Sequence, residues 1–249
     1  MAASQRVFGI HSVQSALDYG AEKVRRAWID RNREDRRIIA LMETLSSLNI
    51  PMEQVDRDRL YKLSNGGKHQ GIVLEVTTPE ERGESDLKDA LINRQTPPLF
   101  LVLDRVQDPH NFGACLRTAD ATGVDGIIIT KDQTVGLTPT VCKVASGAAE
   151  TMPVYRVVNL ARTLRWLKTE GVWIVGADGE SERLVYDVDL REPTAIIVGA
   201  EGKGLRRLTR EQCDLLIKLP MHGHVESLNL SAAAAALLYE AVRQRSNPA

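Results

Sequence analysis

The sequence predicts an α/β protein whose larger, C-terminal part is a parallel sheet covered by helices on both faces. Two observations carry this. Five short apolar runs, at 99–103, 126–129, 172–176, 195–198 and 215–219, alternate with helical patterns at 112–122, 138–149, 160–170 and 204–212. Continuous apolar runs mark strands buried on both faces, and strand–helix alternation is the signature of parallel crossover units. A composition change then divides the chain: residues 79–96 turn charged and turn-prone, which reads as a linker between a small unit at 1–78 and the sheet-bearing unit at 97–249.

The elements follow in order. Residues 6–76 read as a small α/β unit: an apolar start at Val7–Ile10, a helix capped at Ser12, and a strand about Ala27–Ile29. A longer amphipathic helix follows, with Ile38, Leu41, Leu45 and Leu48 at helical spacing, then strands near Pro51–Val55 and Gly71–Val76. His69 stands in a loop with no partner visible in the sequence. Within 79–96 a short helix is expected over Asp86–Asn93. Leu160, Leu164 and Leu167, capped by Asn159, form an amphipathic helix, and the alanine run 232–236 lies in a final helix over Ser231–Arg243.

The stretch Leu99–Gly123 is the most constrained. It opens as a buried strand, turns polar at Asp108–Asn111, and continues as helix-forming sequence from Phe112, with Asn111 expected at the N-cap and Gly123 past the C-terminus. Ligands in open α/β sheets bind beyond the carboxyl ends of strands, which gives Asn111 and Arg117 a place in the chemistry. A capping role for Asn111 and a solvated charge at Arg117 fit the same residues. Two further loops follow strands. Gly199, Gly202 and Gly204 leave the backbone bare in GAEGKGL, with Glu201 among them, but neither a P-loop nor a dinucleotide fingerprint is present. PMHGHVESLNLS places Ser227 and Asn229 in alternation with Leu228 and Leu230 before the last helix, where they cap it, bind a ligand, or both.

Bulk properties exclude several classes. No run of about 18 apolar residues exists, and MAASQRVFGIHS lacks the apolar core of a signal peptide, so a cytoplasmic chain with no membrane partner is expected. The 3 cysteines form no C-x-x-C pair, and His222 and His224 have no third ligand in reach, so no metal is expected. No G-x-S-x-G elbow supports a hydrolase on Ser227. The net charge of −1 gives no global signature for nucleic acid, but residues 1–78 hold 12 Lys+Arg against 10 Asp+Glu, a net of +2, with Arg25, Arg26, Arg31, Arg33, Arg36 and Arg37 crowded together. A solvated helix face explains such a run equally well.

Taken together, the loops DPHNFGACLRTADATG, IIVGAEGKGL and LPMHGHVESLNLSAAAAALLYEA closely resemble the three motifs of the SpoU (TrmH) family of RNA ribose 2′-O-methyltransferases, within the SPOUT superfamily. The resemblance spans about 97–245, with the motifs in order. FGIHSVQSAL and KHQGIVLEV resemble that family's substrate-binding domain, related to ribosomal proteins of the L30e and L7Ae type. The two-part layout is most similar to members that methylate a guanosine in the peptidyl-transferase region of 23S ribosomal RNA. The resemblance implies S-adenosylmethionine as methyl donor, a deep trefoil knot in the C-terminal SPOUT domain, and a homodimer whose active site uses both subunits. It also implies cofactor contacts from Gly199, Leu219 and Leu228, and a catalytic set of Asn111, Arg117, Glu201, Ser227 and Asn229. A non-catalytic RNA-binding or assembly protein on the same fold is the rival, which cofactor binding would separate.

Overall fold

The computed structural model describes residues 3–33, 35–200, 202 and 204–246. It divides into two compact units. Unit 1 runs up to Glu80 and also takes in Gly136–Val144; unit 2 is the remainder, Glu81–Val135 and from Ala145 onward.

Unit 1 is built from β1 (Ala3–Phe8), α1 (Ile10–Gly20), β2 (Val24–Asp30), α2 (Arg36–Ser47), β3 (Met52–Val55), α3 (Arg57–Leu63) and β4 (Ile72–Thr78), its strands in the order β1-β4-β2-β3. β4 runs antiparallel to β1 and β2, while β2 and β3 are parallel. Helix α2 forms where expected because Asp35 caps it, accepting from the backbone of Arg37 and Ile38, and because Ile38, Leu41 and Leu45 fall on one buried face. Ser12 is not a cap. Gly9, at φ 88, breaks the chain direction and takes the cap position, three residues ahead of Ser12, and the Gln70 side chain accepts from Ile10 N at 3.0 Å. The α3 turn was not expected: five of its seven residues, Arg57, Asp58, Arg59, Tyr61 and Lys62, are polar or amphipathic, and only Leu60 is buried. From the separate segment, Thr140 shares a 2.7 Å hydrogen bond with Ser15.

Unit 2 contains α4 (Glu84–Ile92), β5 (Leu99–Asp104), α5 (Pro109–Ala121), β6 (Gly126–Thr130), α7 (Ala148–Thr151), β7 (Val154–Val157), α8 (Leu160–Thr169), β8 (Trp173–Ala177), β9 (Thr194–Gly199), α9 (Arg207–Arg210), β10 (Leu215–Ile217) and α10 (Leu230–Ser246), while α6 (Pro139–Val144), encoded between β6 and α7, belongs to unit 1. The six strands of unit 2 are all parallel, in the order β10-β8-β9-β5-β6-β7. Every residue of β5 and β6 is buried, as two-sided coverage requires. Leu160, Leu164 and Leu167 of α8 pack with Phe100, Ile128 and Ile197, and α10 packs on α5. All six strands end on the same edge of the sheet, and that edge carries the candidate site.

Three details differ from expectation. The helix over 138–149 is two short helices, because Ser146 and Gly147 both take positive φ, 53 and 96. Strand β7 was not foreseen, since Arg156 interrupts its apolar run; that side chain pairs with Glu81 at 2.6 Å. The cap of α5 is Asp108, which accepts from His110 N and Asn111 N, because Pro109 occupies the first helical position and moves the start two residues ahead of Asn111.

Candidate active site

Beyond the carboxyl ends of β8, β9 and β10 lies a cavity of about 520 Å³. Gly199, Leu219, Ser227, Leu228 and Asn229 all line it. Gly199 closes β9 and can only be glycine: a Cβ there would overlap the main chain of Gly204, which folds back over it. That fold-back is held by a 2.9 Å bond from Gly204 N to the Ala200 carbonyl. The loop is then tied to the sheet by Arg206, whose backbone N and Nε donate to the fully buried Asp104 carboxylate at 3.1 and 2.6 Å. On the neighbouring strand end, Asp178 pairs with Arg210 at 3.1 Å. Asp104, Asp178 and Arg206 are not among the residues that the sequence patterns single out. The signal was a carboxylate closing the apolar run LFLVLD, a charge that burial makes costly unless paired.

Asn229 both caps a helix and faces the site. Its Oδ1 accepts from Ser231 N at 2.9 Å and from Ser231 Oγ at 2.7 Å, and its carbonyl begins the α10 ladder. With Oδ1 so engaged, Nδ2 points outward and donates to Asn111 Oδ1 at 2.9 Å. One amide therefore joins the start of α10 to the first turn of α5. Ser227 and Leu228 are exposed, and the loop 222–229 presents them without burying them. Glu201 lies outside the described residues.

Arg117 is not among the residues around this cavity. It is exposed on α5, where six residues at about 100° each leave it about 120° around the helix and about 9 Å along it from Asn111. The chain thus gathers Ser227, Asn229, Gly199, Leu219 and Leu228 around the cavity, with Asn111 joined to it through Asn229, while Arg117 does not line it.

Other chemistries find less support. Among the described residues no group of three or more His, Cys, Asp or Glu is arranged to hold a metal. Burial pushes the Cys115 and Cys213 thiols up to about 12, so neither is a thiolate nucleophile near neutral pH. No helix among the described residues is long and apolar enough to cross a membrane.

Residues 98–239 match the model of the SpoU rRNA methylase family. The chain belongs to that family. Residues 6–82 match a second model, described as RNA 2′-O ribose methyltransferase substrate binding. This SpoU methylase is 48% identical over 249 residues to the 23S rRNA (guanosine-2′-O-)-methyltransferase RlmB of Coxiella burnetii, covering 100% of this chain and 99% of that one. It is 47% identical to the RlmB of Pseudomonas putida, with 98% of each chain covered. Among solved structures it is similar to the SpoU methyltransferase AviRb from Streptomyces viridochromogenes in complex with AdoMet, at 27% identity and TM-score 0.62, over 98% of this chain and 91% of that one. It is also similar to the TrmH/SpoU tRNA modifying enzyme of A. aeolicus, at 32% identity and TM-score 0.55, over 65% of this chain and 82% of that one.

Proposed function

We propose that this SpoU methylase transfers a methyl group from S-adenosylmethionine to the ribose 2′-hydroxyl of a guanosine in the peptidyl-transferase region of 23S ribosomal RNA, working in the cytoplasm as a homodimer. The observation that carries the reading is the cavity at the ends of β8, β9 and β10, which joins a side-chain-free cradle at Gly199 to the fixed Asn229–Asn111 pair. Full-length similarity to 23S rRNA (guanosine-2′-O-)-methyltransferases supports the substrate.

The cavity fits the cofactor in size and chemistry: about 520 Å³, with main chain bared at Gly199, Gly202 and Gly204 and an apolar lip at Leu219 and Leu228. Those two leucines and Gly199 would hold it, and it supplies an activated sulfonium methyl when bound. The protein's own task is alignment and charge. A ribose hydroxyl is a weak nucleophile at neutral pH, so orienting it is worth a large part of the barrier. Asn111, Ser227 and Asn229 offer neutral donors and acceptors at the mouth of the cavity, and the double anchoring of Asn229 fixes which way its amide faces. Arg117 cannot act as a base, because a guanidinium stays protonated; it steadies the developing alkoxide or grips the adjacent phosphate.

The position of Arg117 away from its own chain's cavity favours its delivery to a second subunit's site. Helix α10 leaves Ala232, Ala236 and Tyr239 exposed at helical spacing, which permits close approach of two copies. The packing of α10 on α5 and β9, with β10 placed at the sheet edge beside β8, is consistent with the superfamily's trefoil knot. Unit 1, with its arginines and no catalytic grouping, selects the RNA. Mapping 2′-O-methyl positions in 23S rRNA from cells with and without the protein tests the reading: loss of one guanosine methylation supports it, and an unchanged map overturns it. Sedimentation at twice the 27.5 kDa chain mass is expected.

A further inference from the structure

A second cavity, of about 470 Å³, opens on the same edge of the sheet, beyond the ends of β6 and β7. Its lining is of a different kind. Val158 and Leu208 are among the large apolar side chains left open to water, 66% and 54% exposed, and both face this space. Around them stand polar groups from three elements: Asp132 and Gln133 after β6, Asn159 at the head of α8, and Arg207 on α9. The Asp132 side chain is exposed and has no hydrogen-bond or ion-pair partner among the described residues, although its carbonyl is held by Thr130 Oγ1 at 2.8 Å. Gln133 takes φ 59, an unfavourable backbone state for a residue with a side chain, and strain of this sort gathers at ligand sites.

These features match one ligand chemistry. Enzymes that act on a nucleotide out of its stack hold the base between apolar side chains and read its Watson–Crick edge by hydrogen bonds. An ionised carboxylate only accepts. Guanine alone among the four bases presents two adjacent donors on that edge, N1–H and the 2-amino group. The two cavities are also close along the chain. Gly204 borders the first and Arg206 the second, two residues apart, which is at most about 7 Å of backbone.

We infer that the second cavity receives the base of the guanosine to be methylated: Val158 and Leu208 enclose the unstacked purine, and the Asp132 carboxylate accepts from its N1–H and 2-amino group. Arg207, on the rim, meets the backbone phosphate. The inference rests on the RNA methyltransferase reading above and adds the residue that makes it guanosine-specific.

The test uses the full-length protein and RNA fragments with guanosine or inosine at the methylated position; inosine keeps N1–H and lacks the 2-amino group. The wild-type protein should favour guanosine. Asp132→Asn should lower kcat/KM on guanosine by about ten- to a hundred-fold, as expected for losing a bidentate base contact, and bring guanosine and inosine to within a few-fold of each other. Leu208→Ala and Val158→Ala should raise KM for RNA with little change in kcat. S-adenosylmethionine affinity, measured by calorimetry, should be unchanged in all three. If Asp132→Asn leaves kcat/KM intact, or lowers guanosine and inosine by one common factor, the base is not read there. Unchanged KM in both apolar variants likewise overturns the subsite. A wild-type protein that methylates no guanosine fragment overturns the methyltransferase reading itself, and that result precedes any variant.

Discussion

The two edges of the parallel sheet are made of the same strands and are finished differently. At the amino edge polar groups are spent on the main chain. Arg245 of α10 donates to the carbonyls of Leu190, Pro97, Pro98 and Glu192 at 2.7–3.2 Å. Asp125 accepts from Leu99 N at 2.7 Å and pairs with Arg94, and Asp214 accepts from Ile174 N at 2.9 Å. The carboxyl edge keeps two such ties, Arg206 on Asp104 and Arg210 on Asp178, but it also leaves Ser227, Leu228, Asp132 and Leu208 facing solvent. The difference teaches where each property resides. Side chains that satisfy carbonyls hold the fold, and side chains that face water at strand ends are available to a ligand.

Substitutions should separate the two edges. The largest effect is expected from Gly199→Ala: the added methyl overlaps Gly204, the loop over the cavity is displaced, and binding of S-adenosylmethionine falls below detection by calorimetry. Normal binding in this variant would remove the carboxyl-edge cavity as the cofactor site. Arg117→Ala comes next. Folding and cofactor affinity should be retained while single-turnover methyl transfer at saturating RNA drops by about a hundred-fold or more, the typical worth of one positioned charged donor. A rate restored by high RNA concentration assigns Arg117 to phosphate binding; near-normal turnover throughout makes it a surface charge.

Much of this contrast is legible in the chain itself. Two-sided burial forces strands such as Leu99–Asp104 and Gly126–Thr130 to be continuous apolar runs, and a run of that kind is readable without partners. Gly199, Ser227 and Asn229 stand in polar loops just after apolar runs, which marks those loops, whereas Leu219 and Leu228 stand out only through the family resemblance. What escaped depends on partners distant in sequence. Asp104 and Arg206 are 102 residues apart and meaningful only as a pair. β7 carries Arg156, whose partner Glu81 lies 75 residues earlier. Asn111 is not the cap that the sequence suggests: four turn-forming residues, Asp108–Asn111, precede Phe112, and only the preference of proline for the first helical position decides among them. The second cavity joins Thr130, Asp132 and Gln133 to residues 158–161 and 206–209, a grouping no local pattern contains.

At the amino edge, Arg245→Ala should cost about 2–4 kcal/mol in denaturant unfolding, through carbonyls left without a donor, with methyl transfer per folded molecule unchanged. Lost activity at preserved stability would break the division between edges. The smallest effect concerns acid. The Arg191 guanidinium, and then its backbone N–H, hold the Asp189 carboxyl down from 3.8 to about 2. Because the folded value is the lower one, the pair contributes stability above about pH 4, and that contribution is lost as pH falls from about 4 through about 2. Asp189→Asn should therefore unfold with a slightly flatter dependence on pH across that window, by an amount kept small by exposure to solvent. A steeper acid transition in the variant would contradict this.

The grouping of Gly136–Val144 with the N-terminal unit bears on how this protein can be taken apart. A chain whose compact units are each one continuous stretch can be cut once, and each half keeps its own packing. Here α6 is encoded between β6 and β7 yet rests on α1, with Thr140 bonded to Ser15 and Pro139 seated where Gly20 leaves no room for a larger residue. Ending a gene fragment at residue 80 would leave out that helix and its contacts with α1. A fragment meant to test unit 1 alone needs 136–144 grafted back, and a fragment of the remainder needs that segment replaced by a short polar loop. In evolutionary terms the N-terminal unit is not a detachable cassette: exchanging it for another unit requires a matched change about 60 residues further along the chain, inside the gene segment that encodes the parallel sheet.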